Sequence, residues 1–313
     1  MITVVKAPPF ATIQDLGWTT GRSVGIPVSG AMDPESLVIA NLLAGNPRGA
    51  AAIEWALGPG ALRFDERARV AVCGDATVAI NGRYREPWQA LTIDGDAELA
   101  VTPGGAGRFV YVAVQGGIET PPAAGSRSTY LPAGLGGHEG RRLRAEDRLP
   151  IGRPLGVATL ESALPAPRAR DGHLRVTAGP QAERFDAAAR EALYRAEWTV
   201  LAASDRMGYR LSGPAIASRE RATLPSEAAC PGAIQVPDDG QPIVLMPDGP
   251  TVGGYPKLAV VARADLALLA QCPPGRTVRF REVSPGEARE ALRERERRLD
   301  DLERRAIGEG GSP

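Results

Sequence analysis

Leu224-Pro-Ser-Glu-Ala-Ala-Cys-Pro-Gly-Ala-Ile-Gln-Val-Pro-Asp-Asp-Gly-Gln-Pro-Ile-Val-Leu-Met-Pro-Asp-Gly-Pro-Thr-Val-Gly-Gly-Tyr-Pro-Lys-Leu-Ala-Val-Val261 is the stretch on which the fold turns. Its short apolar runs, Ala233-Ile234, Ile243 to Met246 and Leu258 to Val261, predict strands. Between them, Pro237-Asp-Asp-Gly-Gln-Pro242 and Pro247-Asp-Gly-Pro250 supply the fixed and permissive dihedrals that tight turns need. Ser226, Glu227, Gln235, Asp248, Thr251, Tyr255 and Lys257 fall at the strand ends. Polar groups at the loop ends of a rigid sheet suit a small polar ligand. The solvated turns of a plain β-meander give the same pattern, so the residues alone leave both open.

Outside this stretch the composition points the same way. Gly 37 and Pro 28 among 313 residues, without a period, favour a turn-rich β protein over a helical bundle. Lys+Arg and Asp+Glu balance at 37 each, so no global field draws nucleic acid or an anionic membrane. Lys6 and Lys257 are the only lysines among many arginines, which marks Lys257 either as a retained ammonium or as an ordinary surface residue. Cys73, Cys230 and Cys272 form no CxxC pair and read as small buried hydrophobes. The chain starts as a strand, with no basic-then-apolar leader and no run long enough to cross a bilayer, so the cytoplasm is expected.

Upstream, residues 1–13 predict an opening strand ending in the Pro8-Pro9 turn. Asp33-Pro-Glu-Ser-Leu-Val-Ile-Ala-Asn-Leu-Leu-Ala-Gly45 carries helix signals: Asp33 to cap, Pro34 at the first position and Gly45 to close. Leu37, Ala40, Leu43 and Ala44 form its apolar face. Asn41 and Asn46 read as structural polar residues, and Asn46-Pro47-Arg48 leads to a second Ala-rich turn ending at Glu54. Asn81-Gly82 marks a hairpin, and Leu91 to Gly95 with Glu98 to Val101 repeat that logic. Gly104 to Gly107 lacks the phosphate-loop pattern and reads as a turn. Ser126, Arg127 and Ser128 stand among glycines, positioned either to grip a carboxylate or phosphate or to pair Arg127 with an acidic neighbour.

Downstream, Gly152 to Arg170 is rich in Pro and Ala and marks a boundary. His173 to Pro180 predicts a strand. Gln181 to Arg195 predicts a helix packing through Phe185, Ala188, Leu193 and Tyr194. Asp205, Arg206 and Arg210 form a candidate charge cluster that either binds a polar substrate or locks the sheet. Ser284 to Arg305 predicts a charged helix with a stripe of Ala288, Leu292, Leu299 and Leu302 and the side pairs Glu294/Arg298 and Asp301/Arg305; a disordered tail follows from Gly308.

Two histidines, His138 and His173, leave no multi-histidine metal site, and no Walker A, GxSxG or Rossmann fingerprint is present. Neither lysine lies in the Met-Lys-Met setting of a biotin-carrying domain. The chemistry left open is one in which polar groups orient and polarise an amide or urea-like substrate.

Four blocks carry a family resemblance. They are Thr12-Ile-Gln-Asp-Leu-Gly17 with Gly25-Ile-Pro-Val-Ser-Gly-Ala-Met-Asp33; Gly125-Ser-Arg-Ser-Thr with Gly136-Gly-His-Glu-Gly-Arg-Arg-Leu143; Ser204-Asp-Arg-Met-Gly-Tyr-Arg-Leu211; and Gly232-Ala-Ile-Gln-Val-Pro with Thr251-Val-Gly-Gly-Tyr-Pro-Lys257. In this order they resemble the second-subunit family of allophanate hydrolase and urea carboxylase. The C-type subunit of bacterial 5-oxoprolinase and the antagonist of a sporulation-kinase inhibitor belong to the same family. Trp18-Thr19-Thr20 replaces the usual arginine, with Arg22 a candidate stand-in. Asp248-Gly-Pro-Thr-Val stands where the family shows Asp-Arg-Gln-Thr-Thr, which puts substrate preference in question.

The resemblance implies a mainly β chain with a few helices, in two subdomains of cyclophilin-like β-barrel architecture. The expected divisions are a carboxyltransferase subdomain over 1–165, a cyclophilin-like subdomain over 166–283 and a charged helix and tail over 284–313. It implies the C-type subunit of an ATP-dependent 5-oxoprolinase, acting with A- and B-like subunits. ATP, bound with magnesium in the complex, activates the lactam carbonyl of 5-oxoproline as a phosphate ester, and water opens the ring to glutamate. The alternatives are a biotin-dependent carboxyltransferase for urea or another amide, with biotin carried by another protein, and a non-enzymatic antagonist of a kinase inhibitor. The expected catalytic residues are Asp248 and Lys257. Ser29, Arg127, Arg206, Gln235, Thr251 and Tyr255 are the expected substrate contacts, with no metal ligand, nucleic acid or membrane.

Overall fold

The computed structural model describes residues 1–154, 160–163, 172–218 and 224–309. The chain forms two units, one from 1–18, 29–166 and 297–313, the other from 19–28 and 167–296. The Pro- and Ala-rich stretch at 152–170 and the tail from Gly308 lie largely outside the described residues.

In the first unit the strands are β1 (Ile2–Lys6), β2 (Phe10–Gln14), β3 (Ala52–Ala56), β4 (Gly60–Phe64), β5 (Ala68–Cys73) and β6 (Ala76–Ile80). They continue as β7 (Arg83–Arg85), β8 (Ala90–Ile93), β9 (Glu98–Pro103), β10 (Val110–Val114) and β11 (Arg148–Leu149). One sheet runs β11-β1-β4-β9-β6-β7 and a second β2-β3-β10-β5-β8, all antiparallel. β10 is buried at every position because both faces of its sheet are covered. Val110, Val112 and Val114 join Trp55, Phe64 and Leu99 in one core spanning both sheets. On the other face lies the helix α1 (Pro34–Ala44), packed on β5 and β10.

Helix α1 is capped as its sequence predicts: Asp33 Oδ1 accepts from Ser36 N at 3.1 Å, and Gly45 closes the helix with φ 81°. It is buried from Glu35 to Ala44, on all sides and not along one face. The expected turn ending at Glu54 is instead strand β3, since Ala52-Ile-Glu-Trp-Ala56 fits between β2 and β10. Asn81 (φ 48°) and Gly82 (φ 74°) make the β6–β7 hairpin. The Asp94-Gly95 turn does not make a second one, because β8 pairs with β5 and β9 with β4 and β6. There the chain changes sheets, held by Asp96 N donating to Phe64 O. Gly104 to Gly107 is a turn whose Ala106 and Gly107 N–H groups donate to Asp75 Oδ2.

In the second unit the strands are β12 (His173–Ala178), β13 (Trp198–Val200), β14 (Gly208–Ser212), β15 (Glu227–Ala228) and β16 (Ala233–Gln235). β17 (Ile243–Leu245), β18 (Val252–Gly253), β19 (Lys257–Val261) and β20 (Thr277–Glu282) complete it. A seven-stranded barrel closes in the order β12-β19-β16-β17-β14-β13-β20, sealed by the parallel pair β12–β20. The segment 224–261 is therefore no plain meander. β16 lies between β17 and β19, and β18 leaves the barrel to pair with β15.

Helices α2 (Ala187–Arg195), α3 (Leu266–Ala270) and α4 (Pro285–Glu309) follow. α2 begins at Ala187, capped by Asp186, and not at Gln181. Gly179-Pro180 directs the preceding residues onto β19, and Ala189, not Ala188, is buried. Ser284 and Glu287 form a reciprocal capping box at the start of α4. Of the predicted side pairs on α4, Arg298 meets Glu35, and Asp301 meets Arg304. No helix among the described residues is long and apolar enough to cross a membrane.

Candidate functional site

Barrel strands β16 and β19 place Gln235 and Lys257 as cross-strand partners. Both are buried, Gln235 at 4% and Lys257 at 3% exposure, whereas Lys6 is exposed. Of the two openings for Lys257, retained cation or surface residue, the fold takes the first. Its Nζ donates to Glu227 Oε1 at 2.8 Å. Glu227 comes from the short ribbon strand β15, opposite Gly253 of β18. Gln181 completes the group, its Oε1 accepting from Lys257 N at 3.0 Å and its Nε2 donating to Glu227 Oε1 at 2.5 Å.

Gln235 Nε2 is buried and has no hydrogen-bond partner among the described residues. It lies over Gly253, where a Cβ would come within 2.8 Å of it. An unpaired buried N–H costs about 1–3 kcal/mol, so this one is open to an acceptor from outside the described residues. The ammonium of Lys257 brings three donors, and a ligand acceptor can take one that Glu227 does not. Thr251 is half-buried and Tyr255 is exposed at 46% on the chain leading into β19.

Asp248 belongs to a different arrangement. Its carboxylate accepts two parallel bonds from Arg206, Nε to Oδ2 and Nη2 to Oδ1, each 2.8 Å, with both side chains buried. Asp248 N also donates to Arg206 O at 2.9 Å. The expected Asp205–Arg206–Arg210 cluster does not form. Asp205 Oδ1 accepts from the Met207 and Gly208 backbone instead, and Arg210 is exposed. Asp205 thus shapes the turn into β14, and Arg206 reaches across to the turn after β17. Lys257 pairs with Glu227 and not with Asp248.

Ser29 and Arg127 are in the first unit, where three of the resemblance segments converge on Asp15. Ser126 Oγ (2.6 Å), Ser128 Oγ (2.5 Å) and Arg127 N (2.7 Å) all donate to the Asp15 carboxylate, and Asp15 O accepts from Ala31 N. The loop predicted to grip a carboxylate therefore holds one from its own chain. The Arg127 guanidinium bonds Glu119 (2.7 Å) and Thr120 O (2.7 Å), which is the acidic-neighbour alternative. Arg127, Asp15 and Glu119 border a cleft of about 690 Å³. Ser29 has φ 49° and its hydroxyl lies 3.4 Å from Thr129 O. Gly30 beside it, at φ +77°, would drive a Cβ to 2.7 Å from Gly17 N. Trp18 is buried and donates its indole N–H to Ala123 O at 2.8 Å, so it serves as core where the family has arginine. Arg22 reaches Ala229 O within the second unit.

Cys73 is buried and its thiol is pushed well up by burial and the nearby Asp33 carboxylate, which suits a packed hydrophobe. Cys230 is exposed, against expectation, because the Cys230-Pro-Gly turn lies outside the barrel wall.

Glu227 and Gln181 were not among the predicted substrate contacts. A two-residue strand carries no periodicity to find Glu227. For Gln181 the available signal was Gly179-Pro180, which stops a strand and turns the chain back.

Comparison with known proteins agrees with the four blocks. A model of the carboxyltransferase domain, subdomain A and B, matches residues 24–282. The chain is 37% identical to the C-type subunit of 5-oxoprolinase from Escherichia coli (strain K12), over 96% of this chain and 97% of that one. It is 36% identical to the protein of that name from Haemophilus influenzae, over 97% and 98%. Among solved structures, Kluyveromyces lactis urea amidolyase superposes with a TM-score of 0.88 at 26% identity, over 96% of this chain. The chain spans only 20% of that protein's length. It belongs to the family of the carboxyltransferase domain, subdomain A and B.

Proposed function

We propose that this chain is the C-type subunit of an ATP-dependent 5-oxoprolinase of the bacterial, cytoplasmic type, opening 5-oxoproline to glutamate together with A- and B-like subunits. The observation that carries the proposal is the end-to-end match with the Escherichia coli 5-oxoprolinase component, 96% of this chain and 97% of the relative. The urea amidolyases of Lachancea kluyveri and Kluyveromyces lactis align over a similar share of this chain but only 18% and 20% of their own length.

The Lys257 group has the chemistry a lactam needs. The lactam carbonyl oxygen accepts from Gln235 Nε2 and the Lys257 ammonium, which stabilise the negative charge on that oxygen and on the phosphoryl group it carries as water adds. Glu227 holds the lysine and offers its second oxygen to the ring N–H or to the attacking water. As the C–N bond breaks, the nitrogen takes up the proton that the attacking water gives up, the phosphoryl group leaves as inorganic phosphate and the carbonyl carbon becomes the glutamate side-chain carboxyl. Thr251 and Tyr255 stand on the chain leading into β19, and Arg206 with Asp248 holds the turn after β17. Arg127 keeps a binding role only through the cleft of the first unit, whose lining does not include Ser29.

ATP with magnesium, bound in the assembled enzyme, supplies the driving force by activating the carbonyl. Two glycine-rich loops of this chain do not fit its phosphates, because their donors are already taken by Asp75 and Asp15. We therefore assign the nucleotide to the companion proteins.

The test is the purified complex of all three subunits, supplied with 5-oxoproline and ATP without biotin. Glutamate formation is the expected result. Turnover that demands a biotinylated carrier and urea would replace this reading with carboxyl transfer.

A further inference from the structure

We infer that Gln181 is the positioning residue of the Lys257–Glu227 pair, deciding which carboxylate oxygen of Glu227 faces the ligand. The inference rests on the reading of the Lys257 group as the substrate site.

Gln181 follows β12 on a short segment laid against β19. Gly179 N donates to Leu258 O at 2.9 Å and Gln181 N to Lys257 O at 3.3 Å. A Cβ at Gly179 would lie 2.2 Å from Lys257 O, so only glycine allows the segment to press this close. Gln181 is thereby held at 8% exposure beside the Lys257 backbone.

A carboxamide has a donor end and an acceptor end, and usually either orientation is open to it. Here the Lys257 backbone N–H settles the choice. It can only donate, so it requires Gln181 Oε1, found at 3.0 Å. The reverse orientation would set N–H against N–H. Nε2 must then point the other way, and it meets Glu227 Oε1 at 2.5 Å.

Glu227 Oε1 therefore receives two donors, Lys257 Nζ and Gln181 Nε2. Oε2 has no partner among the described residues, and the side chain is 43% exposed. The strand carrying Glu227 has two residues and, among the described residues, pairs only with β18, so its backbone does little to fix the carboxylate. The Gln181 amide supplies the missing constraint and leaves Oε2 as the oxygen with open lone pairs. Gln181 touches no reacting atom; it acts through Glu227 and Lys257.

The test compares wild type with Gln181→Ala and Gln181→Glu, by crystal structures of the full chain and by steady-state kinetics of the assembled enzyme. Gln181→Glu keeps the acceptor for Lys257 N–H and turns the donor into a repelling carboxylate, so it separates positioning from simple loss of fold. Both variants are expected to show Glu227 displaced by about 1 Å or more, with kcat down about a hundredfold and KM changed far less. A Glu227 carboxylate that stays in place in both crystals, or an unchanged kcat in the folded Gln181→Glu enzyme, overturns the inference. If the wild-type complex does not act on 5-oxoproline, the substrate reading falls, and the crystals still decide the role of Gln181.

Discussion

Gln235 and Lys257 face each other across β16 and β19 and set an amide N–H with no partner among the described residues opposite a buried ammonium. Folding alone gives no reason to bury a donor without an acceptor, since removing it relieves a penalty. A site that must receive a carbonyl oxygen does give one.

Gln235→Leu should then separate stability from function. The folded chain is expected to hold or gain thermal stability, while KM for the substrate rises about tenfold, the worth of one hydrogen bond. A midpoint of thermal unfolding several degrees lower would show that the amide has a structural partner after all.

Lys257 and Glu227 should respond unequally to loss of the partner. Lys257→Met leaves Glu227 half in water, where its charge is tolerated, and should cost less than about 1 kcal/mol of stability while abolishing turnover. Glu227→Gln leaves the buried ammonium without its carboxylate and should cost about 1–3 kcal/mol, a range reduced for the exposure of Glu227. Urea denaturation of both variants reads the difference, and equal losses would contradict the burial asymmetry.

How far these positions are legible in the sequence depends on how local their signals are. The α1 helix announces itself through Asp33-Pro34 and Gly45, and the β6–β7 hairpin through Asn81-Gly82, because capping and turn chemistry act over a few residues. Glu227, Gln235, Asp248 and Lys257 stand out in the sequence as polar groups at strand ends and Arg206 in a charged run, but which of them pair does not. Arg206 finds Asp248 across 42 residues, and Asp15 meets Arg127 N across 112. No periodicity encodes such pairings. The β12–β20 closure is equally silent, and the Asp94-Gly95 turn shows the limit of a strong local cue. It fixes where the chain bends, while the neighbours β4, β5 and β6 decide which sheet each arm joins.

Arg206 and Asp248 make a further test of structural against catalytic roles. Both are buried, and the two oxygens of Asp248 are each turned to the Arg206 guanidinium fork. Asp248→Asn should lower stability by up to about 3–5 kcal/mol, because it removes the charge that faces a buried guanidinium. At a temperature where that variant remains folded, kcat should stay within a few-fold of wild type. A stable Asp248→Asn chain with no turnover would make Asp248 a reacting group and reverse this assignment.

The acid limb of stability should be shaped by Asp147. Burial alone would raise its carboxyl, but two bonds from Arg141 at 2.8 Å, one from Arg144 N at 2.7 Å and the nearby His138 outweigh it and hold the group below its usual value. The unfolded chain binds the proton more tightly than the folded one, so stability must rise with pH across this titration. The contribution is complete above the ordinary carboxylate pKa of about 4 and is lost as pH falls through the lower folded value. Because Val4 N donates to Asp147 O, the same residue ties the 138–147 loop to β1. Asp147→Asn should lower stability by about 2 kcal/mol at neutral pH, a typical value for hydrogen bonds to a charged group. It should also flatten the pH dependence below about pH 4, since the titrating group is gone. Chemical denaturation of both proteins between acid and neutral pH measures both effects. If the two stability curves run parallel down to the lowest pH at which they fold, the Arg141 fork does not hold that carboxyl in its ionised form.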